Sequence, residues 1–180
     1  VCSSDLKGFE NVPCIYQFMK ALLRAEPNLS LDSDHMMIIS PDEGGMGRAV
    51  TFANYLGMDV GMFYKRRDYT RIVDGKNPIV AHEFLGSNVE GKNVLIVDDM
   101  ISSGDSMMDV ARELKRRKAA KVFIASTFGL FTNGLAKFDA AYDQGIIDRV
   151  LTTNLVYQTP ELLSRPYYVN VDLSKYIALL

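Results

Sequence analysis

Two adjacent carboxylates, Asp98 and Asp99, stand directly after four apolar residues in the stretch "VLIVDDMISSGDSM". Ser102, Ser103, Gly104, Asp105 and Ser106 follow, and then a pattern of helical spacing. A strand end capped by one Asp or Ser would account for part of this, because such residues commonly cap helices. Capping uses a single side chain, however, and this turn supplies six polar ones. Gly104 permits positive φ or a close backbone approach. The helix that follows starts with unpaired amide N–H groups and positive partial charge, which suit a phosphate. Ser102, Ser103 and Ser106 add hydroxyl donors. Carboxylates at the strand end suit the hydroxyl groups of a sugar or a divalent metal. A sugar phosphate satisfies both halves of the turn.

The elements needed to position this turn are legible along the chain. "PCIYQFMKALLRAE" has apolar residues at helical spacing after a Pro, which predicts a helix from Pro13 to about Glu26. "HMMIIS" reads as a buried strand, and "SPDEGGMGRAVTFANYLG" as a Gly-rich turn followed by a helix ending at Gly57. "DVGMFY", "NVLIVD", "KVFIAST" and "IIDRVLTTN" read as further strands. "DSMMDVARELKRRKA" and "NGLAKFDAAYDQG" read as helices, and "PELLSR" and "YYVNVD" complete the series. The polar stretch from Lys65 to Lys92 is too long for a structureless connection and is expected to hold a hairpin or a functional loop. Alternating strands and helices predict an α/β fold, a doubly wound, mostly parallel sheet with helices on both faces. Such a sheet binds ligands outside the carboxyl ends of its strands. "SPDEGG", "KRRD", "DDMISSGDS" and "TFGLFTNG" are all expected on that rim.

In "SPDEGG", Gly44 and Gly45 let a phosphate or pyrophosphate lie against the backbone, and Glu43 is expected to face solvent. A tight turn before a helix is the plainer reading. "KRRD", taken alone, reads as a solvated face. His35 and His82 are isolated and are not read as metal ligands, and the Met-Met pairs are expected in the core. Nothing in the chemistry of "TFGLF" assigns it a role.

"VLIVDDMISSGDSM" resembles the ribose-phosphate loop of the type I phosphoribosyltransferase fold. "ISPDEGGMGRA" is similar to the Ser-Pro-Asp-x-Gly-Gly stretch of the ribose-phosphate diphosphokinase family, and "YKRRD" to the opening of that family's flexible catalytic loop. "KGFENVP" resembles its Gln-Gly-Phe-Phe-Asp-Ile-Pro segment. All occur in family order, and the likeness extends from Lys7 to the C-terminus, in the manner of the family's C-terminal half. The resemblance implies transfer of diphosphate from ATP to the 1-hydroxyl of ribose 5-phosphate, giving phosphoribosyl pyrophosphate and AMP for nucleotide biosynthesis. It assigns Asp42 to Mg²⁺, directly or through water, and Lys65 and Arg67 to the transferring group. Asp98, Asp99, Ser102, Ser103, Gly104, Asp105 and Ser106 become the ribose-5-phosphate site. Only through the same resemblance does Thr127 become a candidate substrate contact. The family places an aspartate where Ser102 stands and a small residue where Asp105 stands. The alternatives are a phosphoribosyltransferase of nucleobase salvage, for which no segment suggests a hood over a base, and a non-catalytic paralogue that senses ribose phosphates.

Composition bounds these readings. With 180 residues, 48 % of them hydrophobic and 23 % charged, the chain suits one soluble globular domain. A net charge of −2 provides no global field for nucleic acid or an anionic membrane. No apolar run is long enough to span a bilayer. Cys2 and Cys14 form neither a metal spacing nor a disulfide framework, which suits a reducing cytoplasm. Residues 1–6, "VCSSDL", match the translation of a sequencing-adapter end and are read as a non-native leader. Residues 7–180 are read as one domain cut at both ends, and a homo-oligomer is expected of the full-length protein.

Overall fold

The run Met36–Ser40 has no polar face, and it folds as a strand buried along its whole length. It sits inside the sheet of the computed structural model, which describes residues 12–67 and 79–179, with the backbone alone for residues 65–67 and 79–82. The proposed leader at residues 1–6 lies outside the described residues.

In chain order the elements are α1 (Ile15–Ala25), β1 (Met36–Ser40), α2 (Met46–Leu56), β2 (Asp59–Arg67), β3 (Ile79–Leu85), β4 (Asn93–Ile101) and α3 (Asp105–Arg116). Then come β5 (Val122–Gly129), α4 (Ala136–Asp143), β6 (Arg149–Thr153), α5 (Pro160–Leu163), β7 (Tyr168–Val171) and α6 (Ser174–Ile177). The strands form one sheet in the order β3-β2-β1-β4-β5-β6-β7. All neighbouring pairs are parallel except β2 with β3. The expected doubly wound, mostly parallel α/β sheet is therefore present, and the polar stretch after Tyr64 includes the two arms of an antiparallel hairpin.

Side chains alternate across the sheet as the pleat requires. Met37, Ile39, Val94, Ile96, Val122 and Ile124 pack on one face with Leu114 of α3 and Phe138 of α4. Met36, Ile38, Leu95, Val97, Phe123 and Ala125 pack on the other with α1 and α2. Runs of consecutive apolar residues are needed because both faces are covered. The Met-Met pairs 36–37 and 107–108 are buried, as expected. Helix α1 begins two residues later than the sequence suggested, since Cys14 is its cap and Pro13 precedes it.

One boundary needs correction. The acid pair was expected to end the third strand at Asp98, but β4 continues to Ile101. Asp98 lies opposite Ser126 of β5, Met100 opposite Phe128 and Ile101 opposite Gly129. Buried Ile101 and the ladder to β5 carry the strand past its charges. Strand β1 leads through α2 to β2 on one side, while β4 lies on its other side. The reversal of strand order between β1 and β4 is the place where open α/β sheets hold ligands.

Candidate functional site

The loops after β1, β4 and β5 leave the sheet at the same rim, because these strands run parallel. After β1 the chain turns tightly. Ser40 Oγ donates to the Asp42 carbonyl at 2.7 Å, and the Gly45 N–H donates to Asp42 Oδ1 at 3.0 Å. A Cβ at Gly45 would stand 2.8 Å from Ser40 Oγ, so any larger residue there would have to displace the Ser40 hydroxyl. The plainer reading of this stretch, a turn leading into α2, holds structurally. The turn also places Asp42 on the wall of a cavity of about 140 Å³.

Asp98 and Ser102 to Ser106 share that wall. Gly104 is the residue before α3 and has φ 78°. A Cβ at this position would lie 2.4 Å from Cζ of Phe138, so both backbone conformation and packing call for glycine. The Ser102 carbonyl accepts from Thr132 N–H at 3.0 Å and that of Ile101 from Leu130 N–H at 2.9 Å, which ties the loop after β5 to the cradle. Ser103 Oγ donates to Asp105 Oδ2 at 2.8 Å, and Lys137 pairs with the other oxygen of Asp105.

The two acids share a cation that the sequence reading did not single out. Arg48, in the first turn of α2, reaches Asp98 with Nη1 at 3.1 Å and Asp99 with Nη2 at 3.4 Å. The Asp99 N–H donates to Asp98 Oδ1 at 2.9 Å. Burial pushes the Asp98 carboxyl up to about 6; the adjacent Asp99 adds to the rise, while its N–H and Arg48 oppose it. Asp98 is half-buried and Asp99 is exposed. The arrangement offers a half-buried acceptor beside a more exposed one, both held by Arg48.

Asp98 and Arg48 also border a second cavity of about 320 Å³ on the α1–α2 side of the sheet. Cys14, Phe18, Phe52 and Thr127 line it, so the candidate contact Thr127 is at the rim. The thiol of Cys14 is pushed up by burial. Lys65 and Arg67 belong to the last residues of β2, beyond Met62, the last one paired with β1. They lie opposite His82 and Ile79 of β3. The side chains of Lys65, Arg67 and His82 lie outside the described residues. His35 contacts Asp32 at 2.6 Å at the opposite end of β1 from the cradle. Among the described residues no group of three or more His, Cys, Asp or Glu could hold a metal ion.

Asp42, Asp98 and the Ser102–Ser106 loop are thus brought together, and Arg48 and Lys137 are the additions. Arg48 stood in the quoted "GGMGRA", but one Arg near a helix start carries no mark of its partner. Lys137 had a fainter signal: an acid at a helix start that is expected to hold an anion calls for a neighbouring cation.

Comparison with known proteins agrees with this geometry. Residues 16–163 match the phosphoribosyl transferase domain model. Ribose-phosphate pyrophosphokinase from Mycoplasma genitalium is 35 % identical over 129 residues, 71 % of this chain and 37 % of that protein. The protein of the same name from Vibrio parahaemolyticus is 29 % identical over 177 residues, 98 % of this chain and 53 % of that protein. The chain thus spans about half the length of the curated relatives it matches. A crystal structure of phosphoribosylpyrophosphate synthetase from Mycobacterium smegmatis aligns with a TM-score of 0.69 at 22 % identity, covering 92 % of this chain and 48 % of that one, and supports the same fold. With a cradle of this form at the switch point and a family match over most of its length, the chain belongs to the phosphoribosyl transferase domain family.

Proposed function

We propose that the chain carries the ribose-phosphate half of a ribose-phosphate diphosphokinase, which moves diphosphate from ATP to the 1-hydroxyl of ribose 5-phosphate for nucleotide biosynthesis. The observation that carries this reading is the shared cavity, where Asp98 meets the Ser102–Ser106 loop and the start of α3. Asp98 and Asp99 accept hydrogen bonds from the ribose hydroxyls. Ser102, Ser103, Ser106 and the backbone at Gly104 and Asp105 hold the 5-phosphate. Positive partial charge at the start of α3 favours that anion.

Asp42 and Asp98 on one cavity wall fit Mg²⁺, which commonly takes one or two carboxylates and completes its shell with water and substrate phosphates. When bound, the ion supplies charge neutralisation at the transferring group. The Asp42 turn holds its carboxylate toward that region through the Gly45 N–H. Attack of the ribose 1-hydroxyl on the β-phosphorus of ATP builds negative charge, and Lys65 and Arg67 are the cations this chain offers against it. ATP, a homo-oligomer and a cytoplasmic setting belong to this reading of the longer protein. Among the described residues no helix is long and apolar enough to cross a membrane.

A coupled assay of the longer protein tests the reading, with ATP or a nucleobase offered in turn beside the matching ribose phosphate. AMP formation dependent on ribose 5-phosphate is expected. Pyrophosphate release with a nucleobase would assign the chain to salvage instead, and ribose-phosphate binding without either product would make it a sensor. The 180-residue chain alone is expected to bind ribose 5-phosphate but to release little or no AMP.

A further inference from the structure

A phosphate seated at the start of α3 must draw hydrogen bonds from the cradle's donors. Ser103 is among these donors, and its Oγ–H is given to Asp105 Oδ2 at 2.8 Å. The Asp105 N–H in turn faces Ser103 Oγ at 3.4 Å. The other carboxylate oxygen of Asp105 holds the ammonium of Lys137. Lys137 comes from α4, and its presence here has a packing cause. The next residue, Phe138, is fully buried with its ring against Gly104, which fixes the first turn of α4 beside the cradle. A carboxylate thus takes two of the contacts that an ester phosphate would seek.

Resting on the ribose-phosphate reading above, we propose that Lys137 is a phosphate-binding residue of the cradle and that Asp105 is an internal anion which a phosphate ester displaces. A phosphomonoester brings ~1.5–2 negative charges and three acceptor oxygens, against one charge and two oxygens on Asp105. It therefore competes for Ser103 and Lys137 where a singly charged phosphodiester does not. Asp105 has room to leave, since its side chain is 61 % exposed.

Isothermal titration of the 180-residue chain with ribose 5-phosphate, and separately with inorganic phosphate, tests this. Asp105→Asn is expected to tighten both ligands by about tenfold, the scale of one charge-assisted hydrogen bond. Lys137→Met is expected to weaken both by about tenfold, with Lys137→Arg restoring most of the loss. The Lys137→Met loss must persist in the Asp105→Asn background, because a lysine that served only its aspartate would then have no effect. Ribose 5-phosphate binding that neither substitution alters overturns the proposal and leaves the ribose-phosphate reading intact. A Lys137→Met loss that vanishes in the Asp105→Asn background overturns it in the same way. Failure of every form, Asp105→Asn included, to bind ribose 5-phosphate overturns both.

Discussion

Asp98 is held between opposing influences. Burial favours its neutral form and the Arg48 guanidinium favours its charge, and burial prevails to place the carboxyl at about 6. The folded state therefore retains a proton that the unfolded chain releases near the ordinary carboxyl value of ~4. Its stabilising contribution is fully present below the unfolded value and is lost as pH rises through about 6. Relative to Asp98→Asn, the unsubstituted chain is expected to lose about 1 kcal/mol of stability between pH 5 and pH 7.5, read by urea unfolding. Ribose 5-phosphate affinity should rise over the same interval, in part because the ester phosphate itself ionises near pH ~6, and the rise should be smaller in Asp98→Asn, which lacks the ionising acceptor. A stability difference that stays constant with pH would contradict the assignment. The acids and serines were visible in the sequence because so many polar residues followed a buried run. Arg48 was not, since its meaning depends on two side chains some fifty positions away that only the fold brings within reach.

Between strand β4 and helix α3 the decisive residue is Gly104. Substitution by Ala would meet a φ of 78° and a ring atom at 2.4 Å together. The expected cost is about 2–4 kcal/mol, measured by urea unfolding. Adding Phe138→Leu should recover the part due to the clash and leave the part due to the backbone. Full recovery would mean that the conformation at Gly104 costs nothing. At this scale the sequence was informative wherever an element is covered on both faces. β1, β4 and β5 appear as continuous apolar runs because helices lie above and below them. Strand β3 was not resolved within the stretch after Tyr64, because an edge strand in a hairpin needs no such run. β4 runs three residues past the end that its charges suggest, for a related reason. Charge suggested a turn, whereas the ladder to β5 keeps its pairing through Met100 and Ile101.

The molecule as a whole rests on two apolar layers separated by one sheet. Leu22 of α1 and Leu114 of α3 are fully buried on opposite faces. Each Leu→Ala substitution is expected to cost about 2–5 kcal/mol, and the two costs should add to within about 0.5 kcal/mol in a single cooperative urea transition. Two separate transitions would show that the layers unfold independently. The doubly wound plan was legible because strand and helix patterns alternate along the chain, while the exact strand order had to come from pairing. That order also bears on how the rim behaves. Arg48, in the first turn of α2, is hydrogen-bonded through its backbone N–H to the Gly45 carbonyl of the turn that Asp42 closes, and it grips acids on the neighbouring strand, across the switch point. The two loops are therefore yoked by one guanidinium. Whatever loosens its hold on the acids is communicated to the Asp42 turn, and thermodynamic reciprocity returns the same free energy in the opposite direction.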